Sequence, residues 1–257
     1  MRGYLRLLAV TVCILVNTPP VHADTPDPEL LNRRLTLAQP DFPRLPFPPI
    51  RRVDCAKVKC VALTFDDGPG AETDKVLNHL ARHQAKATFY VLGKLVTDKS
   101  APLLKRMVAE GHELGNHSWD HAMLSGLSRH GVDRQLARTQ HVVRRITGVR
   151  MRTMRPPYGA TSKMVAEVSK VHGLAQIIWS VDTQDWLVRK PDRIVRRSSS
   201  AKPGEVILLH DIHESTVRSV PRLLDALDKK GFVYVTITEL FGEMAPGRKY
   251  FDNRPPK

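Results

Sequence analysis

What this chain has little of narrows the field first. There are three cysteines in 257 residues, too few for a small disulfide-stapled scaffold. No Cys or His pair stands beside Cys55 and Cys60, which rules out a zinc knuckle. No apolar run approaches the ~20 residues that a membrane-crossing helix needs. Acids are scarce, with 26 Asp and Glu against 40 Lys and Arg, giving a formal charge of +14. That excess is scattered, without a basic helix or an aromatic stacking motif, which argues against nucleic acid as a partner. No segment repeats at a fixed period, so solenoids and propellers are excluded.

What is present begins with a leader. Arg2 and Arg6 precede an apolar run from about Leu7 to Val16, and Val21-His22-Ala23 supplies small residues for cleavage after Ala23. The expectation is a signal peptide over residues 1–23 and an exported protein, secreted or held at the cell wall, with an uncleaved membrane anchor as the weaker alternative. Cys13 lies inside the apolar run and lacks the small residue that precedes a lipid-modified cysteine. Loss of Arg2 and Arg6 leaves about +12, a charge that suits anionic polymers of a cell surface. In an oxidising compartment Cys55 and Cys60 are expected to close a small loop.

Residues 24–54 carry seven prolines and few periodic apolar positions, the pattern of an extended linker. A domain of 42% apolar chain is large enough for one core, and the alternation from Cys55 onward is regular. Val61–Phe65 reads as a buried strand, 71–84 as a helix, 87–92 as a strand and 102–110 as a helix. Further on come a strand at 113–116, a helix at 132–147 and a strand at 176–181. A helix near 192–199, a strand at 206–210, a helix at 217–230 and a strand at 232–236 complete the series. Strands alternating with helices imply α/β architecture and a parallel sheet, closed or open. The domain is expected over 55–242, with 243–257 a loose basic tail.

The stretch Val61 to Gly70, VALTFDDGPG, sets two aspartates at a strand end, where α/β folds gather ligands. Adjacent carboxylates disfavour each other's ionised state unless a cation sits nearby, so a metal held by one would let both stay charged. GNHSWDH supplies His117 and His121, a spacing that places two imidazoles on one side of a helical turn. Two histidines and a carboxylate leave an open coordination position, the arrangement of a catalytic zinc site, and hydrolysis follows as the reaction class.

RPPYG at 155–159, DTQDW at 182–186 and LLH at 208–210 lie beside further strand ends. With TFDDG and HSWDH, and in this order, they resemble the polysaccharide deacetylase family, carbohydrate esterase family 4 or NodB homology domain, over about Cys60 to Leu240. The resemblance implies a distorted (β/α) barrel and one divalent metal on Asp67, His117 and His121, zinc first and cobalt second. Asp66 then corresponds to the general base that takes a proton from the attacking water, with a second metal ligand or a strand-end cap as its alternatives. His210 corresponds to the general acid, with His213 off the motif. Asp185 corresponds to the carboxylate that orients His210, with Asp182 left open, and Arg155 to the charged partner of the base. The Tyr158 N–H would face the oxyanion, while its ring, Trp186 and Leu208 would line the groove. The implied activity is removal of N-acetyl groups from an amino-sugar polymer by a monomer. Peptidoglycan comes first as substrate, chitin oligosaccharides second and acetylxylan third. The competing class is a wall-binding protein on the same scaffold, without chemistry.

Overall fold

The structure is a computed structural model that describes residues 51–253. The expected leader, the linker as far as residue 50 and the last four residues lie outside those described.

Nine strands build one sheet: β1 (Lys59–Asp66), β2 (Ala87–Val91), β3 (Glu113–Asn116), β4 (Thr153–Met154), β5 (Ala175–Ile177), β6 (Val181–Asp182), β7 (Val206–His210), β8 (Phe232–Tyr234) and β9 (Lys249–Tyr250). The order is β6-β7-β1-β2-β3-β4-β5-β9, and every pair is parallel. The upper half of β1 pairs with β7 and its lower half with β8. The sheet curls into an incomplete barrel. Its helices are α1 (Thr73–Arg82), α2 (Ala101–Ala109), α3 (Arg129–Thr147), α4 (Lys163–Val171), α5 (Asp185–Val188), α6 (Pro191–Ser198), α7 (Glu214–Asp228) and α8 (Ile237–Phe241).

The side-chain period of a strand explains which residues face which way. On β1, Val61, Leu63 and Phe65 pack into the large apolar layer shared with the helices, beside Val76, Leu80 and Leu224. Cys60 and Ala62 face the other way, into a second cluster with Tyr90, Ile177, Val206 and Ile237 inside the curl. Thr64 and Asp66 continue that inward series. The same alternation on β7 sends Ile207 and Leu209 outward and leaves Val206, Leu208 and His210 on the inner side. Helix ends are fixed locally: α3 starts where Ser128 accepts from the Gly131 N–H and ends at Gly148, whose φ is 75°.

Several expectations are corrected here. The strand expected over 176–181 is two pieces, β5 and β6, interrupted over residues 178–180. The helix α4 and the two-residue strand β4 were not foreseen. The tail expected to be loose from residue 243 instead carries β9, which pairs with β5 through Gln176↔Lys249 and Ile177↔Tyr250. Beyond it Asp252 bridges to Glu205, and the Asn253 N–H donates to the Gly204 carbonyl at 2.7 Å. Gly247 makes this turn, since a Cβ there would stand 2.6 Å from the Ala166 carbonyl. At the other end Cys55 and Cys60 are joined as a disulfide. Arg51, placed by the sequence in the linker, donates to both carboxylate oxygens of Glu239 at 2.8 Å.

Candidate metal centre and catalytic site

The C-terminal ends of β1, β3, β4 and β7 converge. Asp66 ends β1 facing inward, 2% exposed, and the chain then swings into Asp67 with φ 73°, a left-handed conformation that Asp tolerates. Gly68 must follow, because a Cβ there would lie 2.7 Å from both carboxylate oxygens of buried Asp211.

Asp67 Oδ1 stands 3.4 Å from His117 Nε2 and 3.4 Å from His121 Nε2. These are the ligand atoms of the triad that could hold an ion. Two observations test the fit. His117 Nδ1 is 2.7 Å from the Arg155 carbonyl, an acceptor only, so this nitrogen carries the proton and Nε2 offers a lone pair. Asp67 Oδ1, in turn, is buried without a hydrogen-bond partner. A tetrahedral ion would keep neighbouring ligand atoms about 3.3–3.4 Å apart, and both Asp67–histidine separations have that value, with all three ligand atoms within 4.8 Å of one another. The residues fit a divalent metal.

The histidines do not share a helical turn, as their spacing suggested. They sit on a loop in which Ser118 and His121 both have positive φ, 69° and 68°. Asn116 holds that loop by accepting from the Ser118 N–H at 3.0 Å while donating to the Leu136 carbonyl. The Ser118 hydroxyl then accepts from the His121 N–H.

Asp66 is engaged from one side only. Its Oδ1 accepts from Arg155 Nη1 at 2.7 Å, and its Oδ2 lies 3.7 Å from His117 Nε2. Arg155 is fully buried, donates also to Thr64 Oγ1 and the Ile177 carbonyl, and lies over the Tyr90 ring at 4.3 Å. On the neighbouring strand His210 is the register partner of Asp66. Its Nδ1 is 2.8 Å from Asp185 Oδ1, and its backbone N–H donates to Asp185 Oδ2 at 2.7 Å. Thr216 and the Trp186 N–H complete the shell of this buried carboxylate. Asp185, not Asp182, is therefore the partner of His210; Asp182 accepts from the Gln184 N–H.

The charges follow from these contacts. Burial pushes the Asp67 carboxyl up, but contact with His117 and the charges of His117, His121 and His210 outweigh it and bring it down to about 2. Burial likewise opposes ionisation of Asp185, yet its bonds to His210 carry it below its usual value. For His210 burial lowers and Asp185 raises, and the carboxylates win, taking it to about 9. Asp211 has no such compensation: burial drives it up to about 7 despite the Thr73 hydroxyl bonded to it.

Tyr158, with φ 62°, stands at the rim, 63% exposed, its ring edge-on to His121 at 4.6 Å. Trp186 is about half exposed, and Leu208 is buried outside both apolar clusters, below His210 on the inner face. Met123, Leu187 and Ile212 are further exposed apolar side chains on the loops after β3, β6 and β7. Sequence reasoning passed over them, and over Asn116 and Asp211, although each adjoins a quoted motif. A cavity of about 960 Å³ around His112 and Glu113 lies at the opposite end of the strands, away from this chemistry.

A curled parallel sheet thus carries, at one end, a triad of two histidines and one aspartate that could hold an ion, beside Asp66 and His210 on adjacent strands. The chain belongs to the polysaccharide deacetylase family, whose profile matches residues 54–177. It is 46% identical over 197 residues to the peptidoglycan-N-acetylglucosamine deacetylase PgdA of Listeria monocytogenes, covering 76% of this chain and 41% of that protein. It thus spans less than half the length of that relative. To the chitooligosaccharide deacetylase of Sinorhizobium fredii it is 39% identical, over 67% of this chain and 87% of the relative. Among solved structures, a T48 deacetylase with substrate superposes with a TM-score of 0.74 at 42% identity, over 77% of this chain and 99% of that one.

Proposed function

We propose that this protein is a metal-dependent deacetylase that removes N-acetyl groups from peptidoglycan N-acetylglucosamine. The observation that carries the chemistry is the triad of Asp67, His117 and His121, with Asp66 and His210 directly paired on adjoining strands. The substrate rests on similarity to the Listeria enzyme. A zinc ion bound there, with cobalt as the alternative, would polarise the acetyl carbonyl and acidify water.

The chain's own groups do the rest. Asp66, with Oδ1 held by Arg155, keeps Oδ2 free to take the proton of the attacking water. The C–N bond breaks as His210 delivers a proton to the departing amine from Nε2, its Nδ1–H being fixed on Asp185. The Tyr158 N–H is assigned to the oxyanion, and the exposed Tyr158 and Trp186 rings to the sugar faces. Export by residues 1–23 and retention on anionic wall polymers complete the reading, on the strength of sequence alone. A chitooligosaccharide substrate is the second reading, favoured by the near full-length similarity to the Sinorhizobium enzyme.

The test is release of acetate from peptidoglycan, chitin oligomers and acetylxylan by purified, metal-loaded protein. Peptidoglycan should give the highest rate. Activity confined to acetylxylan would replace the amide reading with an ester one, and none on any of the three would leave the wall-binding scaffold.

A further inference from the structure

One part of the molecule remains unexplained by the chemistry above. The positive charge is not as evenly scattered as the sequence suggested: between residues 189 and 202 stand six Lys or Arg and a single Asp, three of the arginines on the one helix α6. Arg189, Lys190, Arg193 and Arg196 are all exposed, and none has a carboxylate partner among the described residues. The one acid within the stretch, Asp192, is taken by Arg222 at 2.5 Å, and Asp185, just before the stretch, is held by His210. Some exposed cations elsewhere are paired, Arg129 with Glu167 and Lys75 with Glu72, and others such as Lys99 and Lys163 have no ion pair among the described residues, so what marks this stretch is the crowding of its charges rather than the lack of partners alone.

The positions are electrostatically unfavourable. Lys190 caps α6 and Arg193 lies in its first turn, where the helix dipole disfavours cations. Arg193 and Arg196 lie three residues apart on the exposed side of α6, away from buried Ile194 and Ser198, and Lys190 precedes the helix, so like charges crowd together. A solvated surface would gain by interspersing acids. Arg189 is also held in the left-handed conformation, φ 51°, as is Gln184, φ 55°, at the other end of α5. That single turn carries Asp185, which holds His210, and the exposed pair Trp186 and Leu187. The strip therefore begins at the lip of the groove on the His210 side. Burial lowers the His213 pKa and the charge of Arg189 adds to the lowering, and the His213 ring is 5.9 Å from that of His210.

We infer that Arg189, Lys190, Arg193 and Arg196 form a subsite for carboxylates carried by the glycan strand, through which the enzyme selects peptide-bearing peptidoglycan over neutral amino-sugar polymers. The inference rests on the peptidoglycan reading and adds what that reading lacked, a physical basis for the choice. Both substrates offer the same N-acetyl group and the same sugar faces to Tyr158 and Trp186. Only peptidoglycan, with peptides on alternate sugars, offers a row of carboxylates beside the groove.

The experiment uses metal-loaded full chain, an Arg189→Ala/Arg193→Ala/Arg196→Ala variant and the matching triple Lys variant. Three substrates separate the outcomes: soluble peptide-bearing peptidoglycan fragments, the same fragments with carboxyls capped as methylamides, and chitotetraose. The Ala variant should lose about tenfold in kcat/KM on the charged fragments, three exposed ion pairs each contributing a few-fold. The loss should lie in KM, kcat should hold, and neither neutral substrate should be affected. The Lys variant should recover most of it, and rising salt should erase the wild-type preference. Because the three side chains are exposed, circular dichroism and Tm should match wild type. An equal loss on chitotetraose, or none on the charged fragments by a variant of an active enzyme, overturns the subsite alone. Wild-type protein inactive on charged fragments but active on chitotetraose overturns the peptidoglycan reading and the subsite with it.

Discussion

His117 Nε2 and Asp67 Oδ1 stand 3.4 Å apart, facing each other at the mouth of the candidate ion site. The ring has spent its N–H on the Arg155 carbonyl, the carboxylate oxygen is buried without a donor, and the separation exceeds a hydrogen bond. Such a facing pair of lone pairs costs free energy unless a cation lies between.

Metal removal should therefore do two things. Chelation should abolish acetate release, restored by zinc or cobalt, and should lower Tm, since an ion that binds only the folded state stabilises it. Calorimetry with and without chelator gives the second readout. An unchanged Tm together with unchanged turnover would contradict the assignment.

The neighbouring aspartates should separate by mutation. Asp67→Asn should lose metal, because an amide oxygen is the poorer ligand. Asp66→Asn should keep about one ion per chain and lose roughly 10²- to 10⁴-fold in turnover, the usual contribution of a general base. Metal analysis beside acetate-release rates distinguishes them; Asp66→Asn losing the ion while Asp67→Asn keeps it would reverse the roles.

Arg155→Met should be severe in a different manner. Its guanidinium is fully buried against Asp66, and removal strands a buried carboxylate, at a cost of about 3–5 kcal/mol of stability. Denaturant unfolding measures this directly. Adding Asp66→Asn to Arg155→Met should recover part of the loss.

His210 must be protonated to act as an acid, so activity should fall as pH rises through its pKa, about 9 and lower with a divalent ion beside it. Asp185→Asn removes the contact that raises it. The alkaline limb of the kcat/KM profile should then move to lower pH. A limb that stays put would assign it to another group.

Asp211 supplies a stability prediction of known sign. With a folded pKa near 7 against about 3.9 unfolded, the folded state binds more protons between those values, and stability rises as pH falls from 7 toward 4. Asp211→Asn should raise Tm above wild type at pH 8, and the difference should shrink toward pH 4. No pH dependence in that difference would show the carboxyl to be ordinary.

Strand ends were the readable part of this sequence. Val61–Phe65, Glu113–Asn116 and Val206–His210 announce themselves by apolar runs, and β3 and β7 fall on the expected residues. Asp66 and His210 end β1 and β7, and Asp67 and His117 directly follow β1 and β3, so the residues of the candidate site could be picked out along with the strands. What was hidden depends on contacts distant in sequence. β4 and β9 have two residues each, too short for any period, and exist because β3 and β5 present edges to them. The loop carrying His117 and His121 imitates helical spacing while positive φ at Ser118 and His121 makes it a turn. The choice of Asp185 over Asp182 needed the Thr216 and His210 bonds, which close only in three dimensions.

The closing strand β9 has a practical consequence. Residues 247–253 occupy the N–H groups of Gln176 and Ile178 and tie back to Gly204, so they cover an edge of the sheet. A protein trimmed at Gly242, where the recognisable motifs have ended, would leave β5 bare with the half-buried Trp179 beside it. Bare edges recruit strands from other copies. Short preparations should accordingly self-associate and precipitate, and a purification handle belongs at the other end of the chain.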